Sequence, residues 1–380
     1  MVFVTFAQAM KSIYLFNPDN DLALAYGGDN YTAPPFARQM QHDLAALPAW
    51  FAPAHSTILV PHEEAQAWLD HTALQWRLDL TAAIPQDLPG QNPCRFFPWG
   101  WSIPLRHRLL NLGVDAACLP SLQAIEQLRL LSHRRTTIAI HRHLQEVLHT
   151  HFSPIPQELS TIDAVMDFAR NHDGCYLKSP WSGSGRGIYH VIDAHDPYLE
   201  NWCKGILNRQ GSILCETGLP GTFDFALEFH SLKGEIAFAG YSVFQSDFHS
   251  QYSAGTVAGQ DRLKKELTSR YRQLEAVKEA LLQLFRTMIA PHYEGYFGVD
   301  MLFYEIGGQT HIDPCVELNL RPTMGIVTCA LGNKVLQCGG TGKFKIEYSK
   351  NGFPPERKEN RIYLTPILED TRYRAIVDID

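Results

Sequence analysis

Apolar positions fall in short blocks along this chain, and the spacing within each block predicts an element. Residues 12–16 form an apolar run ending at Asn17-Pro18-Asp19-Asn20, which reads as a buried strand entering a turn. A second short apolar strand is predicted at 57–60. Residues 1–120 therefore read as a small α/β domain, with irregular loops rich in Trp and Pro around 93–104. From 126 to 148, Leu128, Leu131, Ile138, Leu144 and Val147 share one helical face. Pro154 and Pro156 end that helix and open a new module. Ile162, Val165, Met166 and Phe168 predict a helix over 161–171, followed by strands at 175–178, 188–192 and 213–215. Segments 223–230 and 235–243 read as an antiparallel pair turning at Lys233-Gly234. A long amphipathic helix is predicted over 261–290. After it, 298–306 and 311–320 form a hairpin joined at Gly307-Gly308.

The second strand of that hairpin carries the first chemical signal. Glu317, Asn319 and Arg321 are spaced two apart, so on a strand they share one face while Val316, Leu318 and Leu320 point into a core. A carboxylate, an amide oxygen and a guanidinium in a row suit a magnesium-polyphosphate site, because hard oxygens hold the metal and the guanidinium holds an anionic oxygen. A half-exposed alternating strand is the competing reading. If Gly307-Gly308 make a two-residue turn, a uniform ladder puts Asp300 opposite Cys315. Glu317 is then its same-face diagonal neighbour, roughly 7–8 Å away. A bulge at Pro314 that moved the register by one would turn Asp300 to the other face.

Trp181-Ser182-Gly183-Ser184-Gly185-Arg186-Gly187 is a glycine-rich loop between two predicted strands, the first of which carries Lys178. Its glycines let backbone N–H groups close on phosphate oxygens. It is neither a P-loop nor a Rossmann fingerprint, because a strand rather than a helix follows it. An ordinary hairpin tip is the alternative.

Composition narrows the function classes. The 380 residues are 45% hydrophobic and 19% charged, with a formal net charge of −7 and no basic block. Nucleic acid and anionic membranes are therefore not expected partners. Eight cysteines without a CxxC pair argue against a zinc site or a disulfide framework and fit a reducing cytoplasm. No run of about eighteen apolar residues is present, so no membrane span is expected. The apolar N-terminus lacks the basic start of a signal peptide, and Met10 is an alternative start.

Taken in order, Lys178, the loop Ser182-Gly183-Ser184-Gly185-Arg186-Gly187, Leu214-Cys215-Glu216, Gly298-Val299-Asp300 and Val316-Glu317-Leu318-Asn319-Leu320-Arg321 resemble the ATP-grasp superfamily of ligases over roughly residues 121–332. The resemblance implies an α/β and α+β fold: an N-terminal α/β domain, then two antiparallel α+β subdomains gripping ATP. The implied division is 1–120 for the N-terminal domain and 121–215 for a linking helix and the small lid subdomain. The large subdomain with the metal site would be 216–340, and 341–380 a C-terminal tail with short strands. It further implies that Lys178 contacts phosphates, that Ser182, Gly183, Ser184, Gly185, Arg186 and Gly187 fold over them, and that Glu216 starts the adenine-reading hinge strand. Asp300, Glu317 and Asn319 would bind one or two Mg²⁺ ions, with Mn²⁺ as a substitute, and Arg321 would stabilise the transferred phosphate.

The sequence departs from the superfamily pattern in places. Arg134 or Arg135 stands where an ATP-binding lysine is usual, and Asp224 stands in the ribose position with spacing from Glu216 one residue long. The implied reaction is activation of a small-molecule carboxylate as an acylphosphate, captured by an amine or thiol, with ADP and phosphate released. A nucleotide-binding regulator without turnover and a small-molecule kinase are the alternatives. His249, Gln251 and Tyr252 are candidates for lining the acceptor site, and a homodimer is ordinary for the superfamily. Asn17, Asp19, Asn20 and Asp21, at the end of the first strand, could help bind the acid or amine or simply form a turn.

Overall fold

The computed structural model describes residues 10–90, 93–183, 187–246, 252–334, 340–354 and 358–380. Two units divide the chain. One takes in residues up to Ala23, Gly28–Ile125 and Ile346–Asp378; the other takes in Leu24–Gly27, Glu126–Lys345 and Ile379–Asp380.

The first unit is built on four parallel strands, β1 (Lys11–Leu15), β2 (Ser56–Leu59), β3 (Leu80–Ala83) and β4 (Cys94–Pro98), in the order β3-β2-β1-β4. Helices α1 (Asn20–Tyr26), α2 (Pro35–Asp43), α3 (Glu63–Trp76) and α4 (Ile103–Asn111) alternate with them. Ile13, Leu15, Phe96, Leu105 and Leu109 form one of its cores. The carboxyl ends of β1 and β4 are tied together there, because the Asn17 amide donates to Gly100 O at 2.8 Å and accepts from Gly100 N at 3.2 Å. The 346–378 segment is integral to this unit. Trp50 Nε1 donates to Leu364 O at 2.7 Å, and Asp43 Oδ2 accepts from Arg372 N and Tyr373 N at 2.8 and 2.9 Å.

The second unit opens with α5 (Leu122–Leu131) and α6 (Thr136–Leu148). The apolar face predicted one helix over 126–148, but the chain breaks at 132–135. The His133 ring accepts from Arg135 N at 3.0 Å, and Arg134 N donates to Pro180 O at 3.0 Å. An antiparallel sheet follows from β5 (Gln157–Leu159), β6 (Tyr176–Lys178), β7 (Ile188–His190) and β8 (Ile213–Glu216), in the order β5-β8-β6-β7. Helices α7 (Ile162–Asn171) and α8 (Leu199–Gln210) cover it through Val165, Phe168, Leu199, Cys203 and Ile206.

The larger sheet of this unit runs β13-β12-β9-β10-β11-β14. Its strands are β9 (Gly221–Leu232), β10 (Glu235–Ser246), β11 (Tyr252–Val257), β12 (Gly295–Ile306), β13 (Gln309–Asn319) and β14 (Gly342–Tyr348). Helices α9 (Gln260–Arg270), α10 (Leu274–Met288) and α11 (Met324–Lys334) belong to this part of the chain. The long helix predicted over 261–290 is thus two helices, broken at Tyr271–Gln273. Along β14 the chain passes into the first unit, where β15 (Arg361–Tyr363) and β16 (Tyr373–Ile379) pair antiparallel.

Alternation sets up the site. Phe225, Leu227 and Phe229 of β9 and Phe297, Val299, Met301 and Phe303 of β12 are buried, and Phe229 meets Phe285 of α10 edge to face. The interleaved positions Asp224, Ala226 and Glu228, with Gly298, Asp300 and Leu302, take the opposite face. Among the described residues, no helix is long and apolar enough to cross a membrane.

Candidate functional site

The carboxylates are arranged by strand register. Across the larger sheet, Ala226, Asp300 and Glu317 form one row, and Glu228, Gly298 and Asn319 form the next. The uniform ladder expected from the Gly307-Gly308 turn holds only as far as Leu302 opposite Asp313. Beyond it β12 advances two residues while β13 advances four, so Asp300 faces Glu317 directly and not Cys315. The expected diagonal arrangement, and the feared one-residue slip at Pro314, are both replaced by a shift of two. A shift of two preserves side-chain parity, which keeps both acids on one face. Asn319 Nδ2 donates to Asp300 Oδ2 at 2.9 Å. Burial, reinforced by Glu317 and Glu228, pushes the Asp300 carboxyl well above the usual carboxylate range. A cation at this point would relieve that repulsion. Two opposed carboxylates and an amide oxygen are hard donors suited to Mg²⁺, so the residues fit such an ion.

Cationic side chains converge on the same place. Arg134, with a side chain only 3% exposed, donates to Glu317 Oε1 at 2.8 Å. It also donates to Ser179 O at 2.9 Å and Ser182 Oγ at 2.5 Å. Lys178 Nζ lies 2.5 Å from Glu216 Oε2 and donates to Val316 O at 3.5 Å. Burial raises the pKa of Glu216 despite the lysine beside it. The Arg321 charge opposes the burial-driven rise at both Asp300 and Glu228. The base of the glycine-rich loop is fixed: Ser179 N donates to Gly187 O at 2.8 Å, and Trp181 N donates to Gln210 Oε1 at 2.9 Å. Gly187 has φ +73°, and a Cβ there would lie 2.2 Å from Ser179 Oγ, so no other residue fits without strain.

No family model matches this sequence, and no curated protein does. Solved structures do match. Biotin carboxylase from Campylobacter jejuni, in a β-γ-ATP complex, superposes with a TM-score of 0.52 at 13% identity over 98% of this chain and 87% of that one. The biotin carboxylase domain of Hydrogenobacter thermophilus 2-oxoglutarate carboxylase, with MgADP, ADP and bicarbonate, gives 0.54 at 11% identity over 97% and 86%. Staphylococcus aureus N5-carboxyaminoimidazole synthetase complexed with ADP gives 0.50 at 12% identity over 97% and 93%. The chain has the ATP-grasp fold.

Within the ATP-grasp frame the expected residues separate. Asn319 is bonded to Asp300, Arg134 to Glu317 and Ser182, and Lys178 to Glu216 and to the backbone beside Glu317, with the Arg321 charge acting on Asp300. Arg135 is not brought in: its side chain is 48% exposed, with Glu158 4.0 Å away. Asp224 shares the face of Glu228 but sits two rows from it, opposite Leu302, with Ser246 as its hydrogen-bond partner. Gly183 lies at the described edge of the loop, and Ser184, Gly185 and Arg186 lie outside the described residues, as do His249 and Gln251. Tyr252 is in β11, with a buried hydroxyl that has no partner among the described residues.

Sequence reading missed Glu228. Ser242 Oγ and Thr323 Oγ1 both donate to its Oε1, at 2.8 and 2.9 Å, and Oε2 is buried without a partner among the described residues. A Cβ on Gly298 or Gly325 would come within 2.6 or 2.0 Å of its oxygens, so those two glycines make its room. The signal was present: Glu228 follows Asp224 by four residues, on the same face of a recognised strand.

Proposed function

We propose that the protein is an ATP- and Mg²⁺-dependent ligase that activates a small-molecule carboxylate as an acylphosphate and joins it to an amine or thiol. The observation that carries this reading is the direct opposition of Asp300 and Glu317, with Asn319 beside them and Arg134 held on Glu317. A Mg²⁺ ion held there would supply positive charge to offset that of the polyphosphate. Glu317, Asp300 and Asn319 would orient the metal. Arg134 and Lys178 would hold phosphate oxygens, with Ser182 orienting Arg134. Arg321 would balance charge on the phosphoryl group as it moves. Once Arg134 turns to phosphate, the Glu317 carboxylate that it now neutralises would be free for the metal. No protein nucleophile is required, since the work is positioning and charge neutralisation.

The structural neighbours support the reading, because one is crystallised with MgADP and bicarbonate and another with ADP. Bicarbonate therefore belongs among the acids to be tried. Product analysis tests the proposal. ADP and phosphate release that requires an acid and an amine or thiol together is the expected result. A stable phosphorylated product, formed without any second acceptor, would make the protein a kinase instead.

A further inference from the structure

The bulge in β13 that brings Glu317 opposite Asp300 is held by side chains from outside the β12–β13 hairpin. Residues 314–316 stand where the partner strand supplies Met301 alone. Pro314 has no N–H to give. Cys315 N donates to Asp313 Oδ1 at 3.2 Å, and Val316 O accepts from Lys178. Cys315 O, buried, accepts from Nε2 of His141 at 3.1 Å. His141 is itself fully buried on α6, and the same Nε2 lies 3.3 Å from Asp313 Oδ1. Two acceptors facing one ring nitrogen place the proton on it. The chain entering α6 carries Arg134, which grips Glu317. One stretch of chain thus holds β13 at its bulge and at its terminal acid.

We propose that His141 is a positioning residue for the metal site, fixing the two-residue bulge that sets Glu317 directly opposite Asp300. The inference rests on the reading of Asp300, Glu317 and Asn319 as metal ligands. The competing arrangement is the uniform ladder that the Gly307-Gly308 turn favours by itself, with Asp300 opposite Cys315 and Glu317 displaced to the diagonal. Without a donor at position 141, the buried Cys315 O loses its bond to the ring, and the bulged register loses its advantage over the uniform one.

Three variants of the full chain test this. His141→Phe fills the ring volume without a donor. His141→Met does the same with a slimmer side chain, should the phenyl ring prevent folding. His141→Gln returns an amide N–H near the position of Nε2. Two quantities are read: Mg²⁺ affinity in the presence of a saturating non-hydrolysable ATP analogue, and hairpin register from cross-strand nuclear Overhauser contacts. The donorless variants should lose about tenfold or more in Mg²⁺ affinity, as removal of groups supporting metal ligands generally does. They should also lose the Asp300–Glu317 pairing, and His141→Gln should keep both properties. A donorless variant with the bulged register and native affinity overturns the proposal, as does a His141→Gln variant that loses as much as the donorless ones. If the wild type shows no Mg²⁺-dependent affinity, the ligase reading fails, and the register measurement still decides the role of His141.

Discussion

Glu228 is 1% exposed, and both hydroxyl groups that reach it bind the same oxygen. Burial lifts its pKa from an ordinary 4.5 to about 7, against the pull of Ser242, Thr323 and Arg321. The folded protein therefore holds this proton more tightly than the unfolded chain does. Below about pH 4.5 the carboxyl is protonated in both states and costs nothing. As pH rises towards 7 the unfolded chain ionises freely while the folded one resists, so stability falls, and the loss is complete above 7. The shift corresponds to about 3 kcal/mol. Glu228→Gln keeps the shape and cannot titrate. In urea unfolding, the stability of the wild type relative to this variant should fall by about that amount between pH 4.5 and 7.5. A difference that stays constant with pH would contradict the assignment.

At the scale of elements, strands β6 and β8 meet in a buried ion pair. Lys178 pairs with Leu214 and Tyr176 with Glu216, so the two charged side chains approach on the diagonal. Lys178→Met should cost about 3 kcal/mol, because Glu216 is left buried and unpaired. Lys178→Met combined with Glu216→Gln should recover most of that stability yet still bind nucleotide weakly. Native nucleotide affinity in the double variant would remove Lys178 from the phosphate site.

What the sequence made legible follows the same division. Strand alternation revealed Glu317 and Asn319, although β13 ends at Asn319 and Arg321 lies two residues past it, and the order of motifs was enough to anticipate the ATP-grasp fold. The register was not legible. The turn fixes only the near end of the hairpin, and the bulge depends on His141, which is distant in sequence. The continuous apolar pattern over 126–148 likewise hid the break at 132–135. That break depends on a His133 ring contact and on Pro180 O, and it is what turns Arg134 rather than Arg135 to the acids. Glu228 escaped because its spacing from Asp224 marks only a shared strand face, and the room that Gly298 and Gly325 make for it comes from segments distant in sequence.

For the whole molecule, the first unit and the ATP-grasp unit are each assembled from separate stretches of chain, and residues 346–378 complete the first. The chemistry proposed depends on one point in the second unit, the pairing of Asp300 with Glu317. Calorimetric titration of a non-hydrolysable ATP analogue, with and without Mg²⁺, into wild type and Glu317→Gln tests that point directly. Gln retains an acceptor for Arg134 but removes the charge that a metal needs. The expected result is Mg²⁺-dependent binding to the wild type that weakens by about tenfold or more in the variant. Binding that is equally tight in both proteins and indifferent to Mg²⁺ would contradict the metal site, and with it the ligase mechanism.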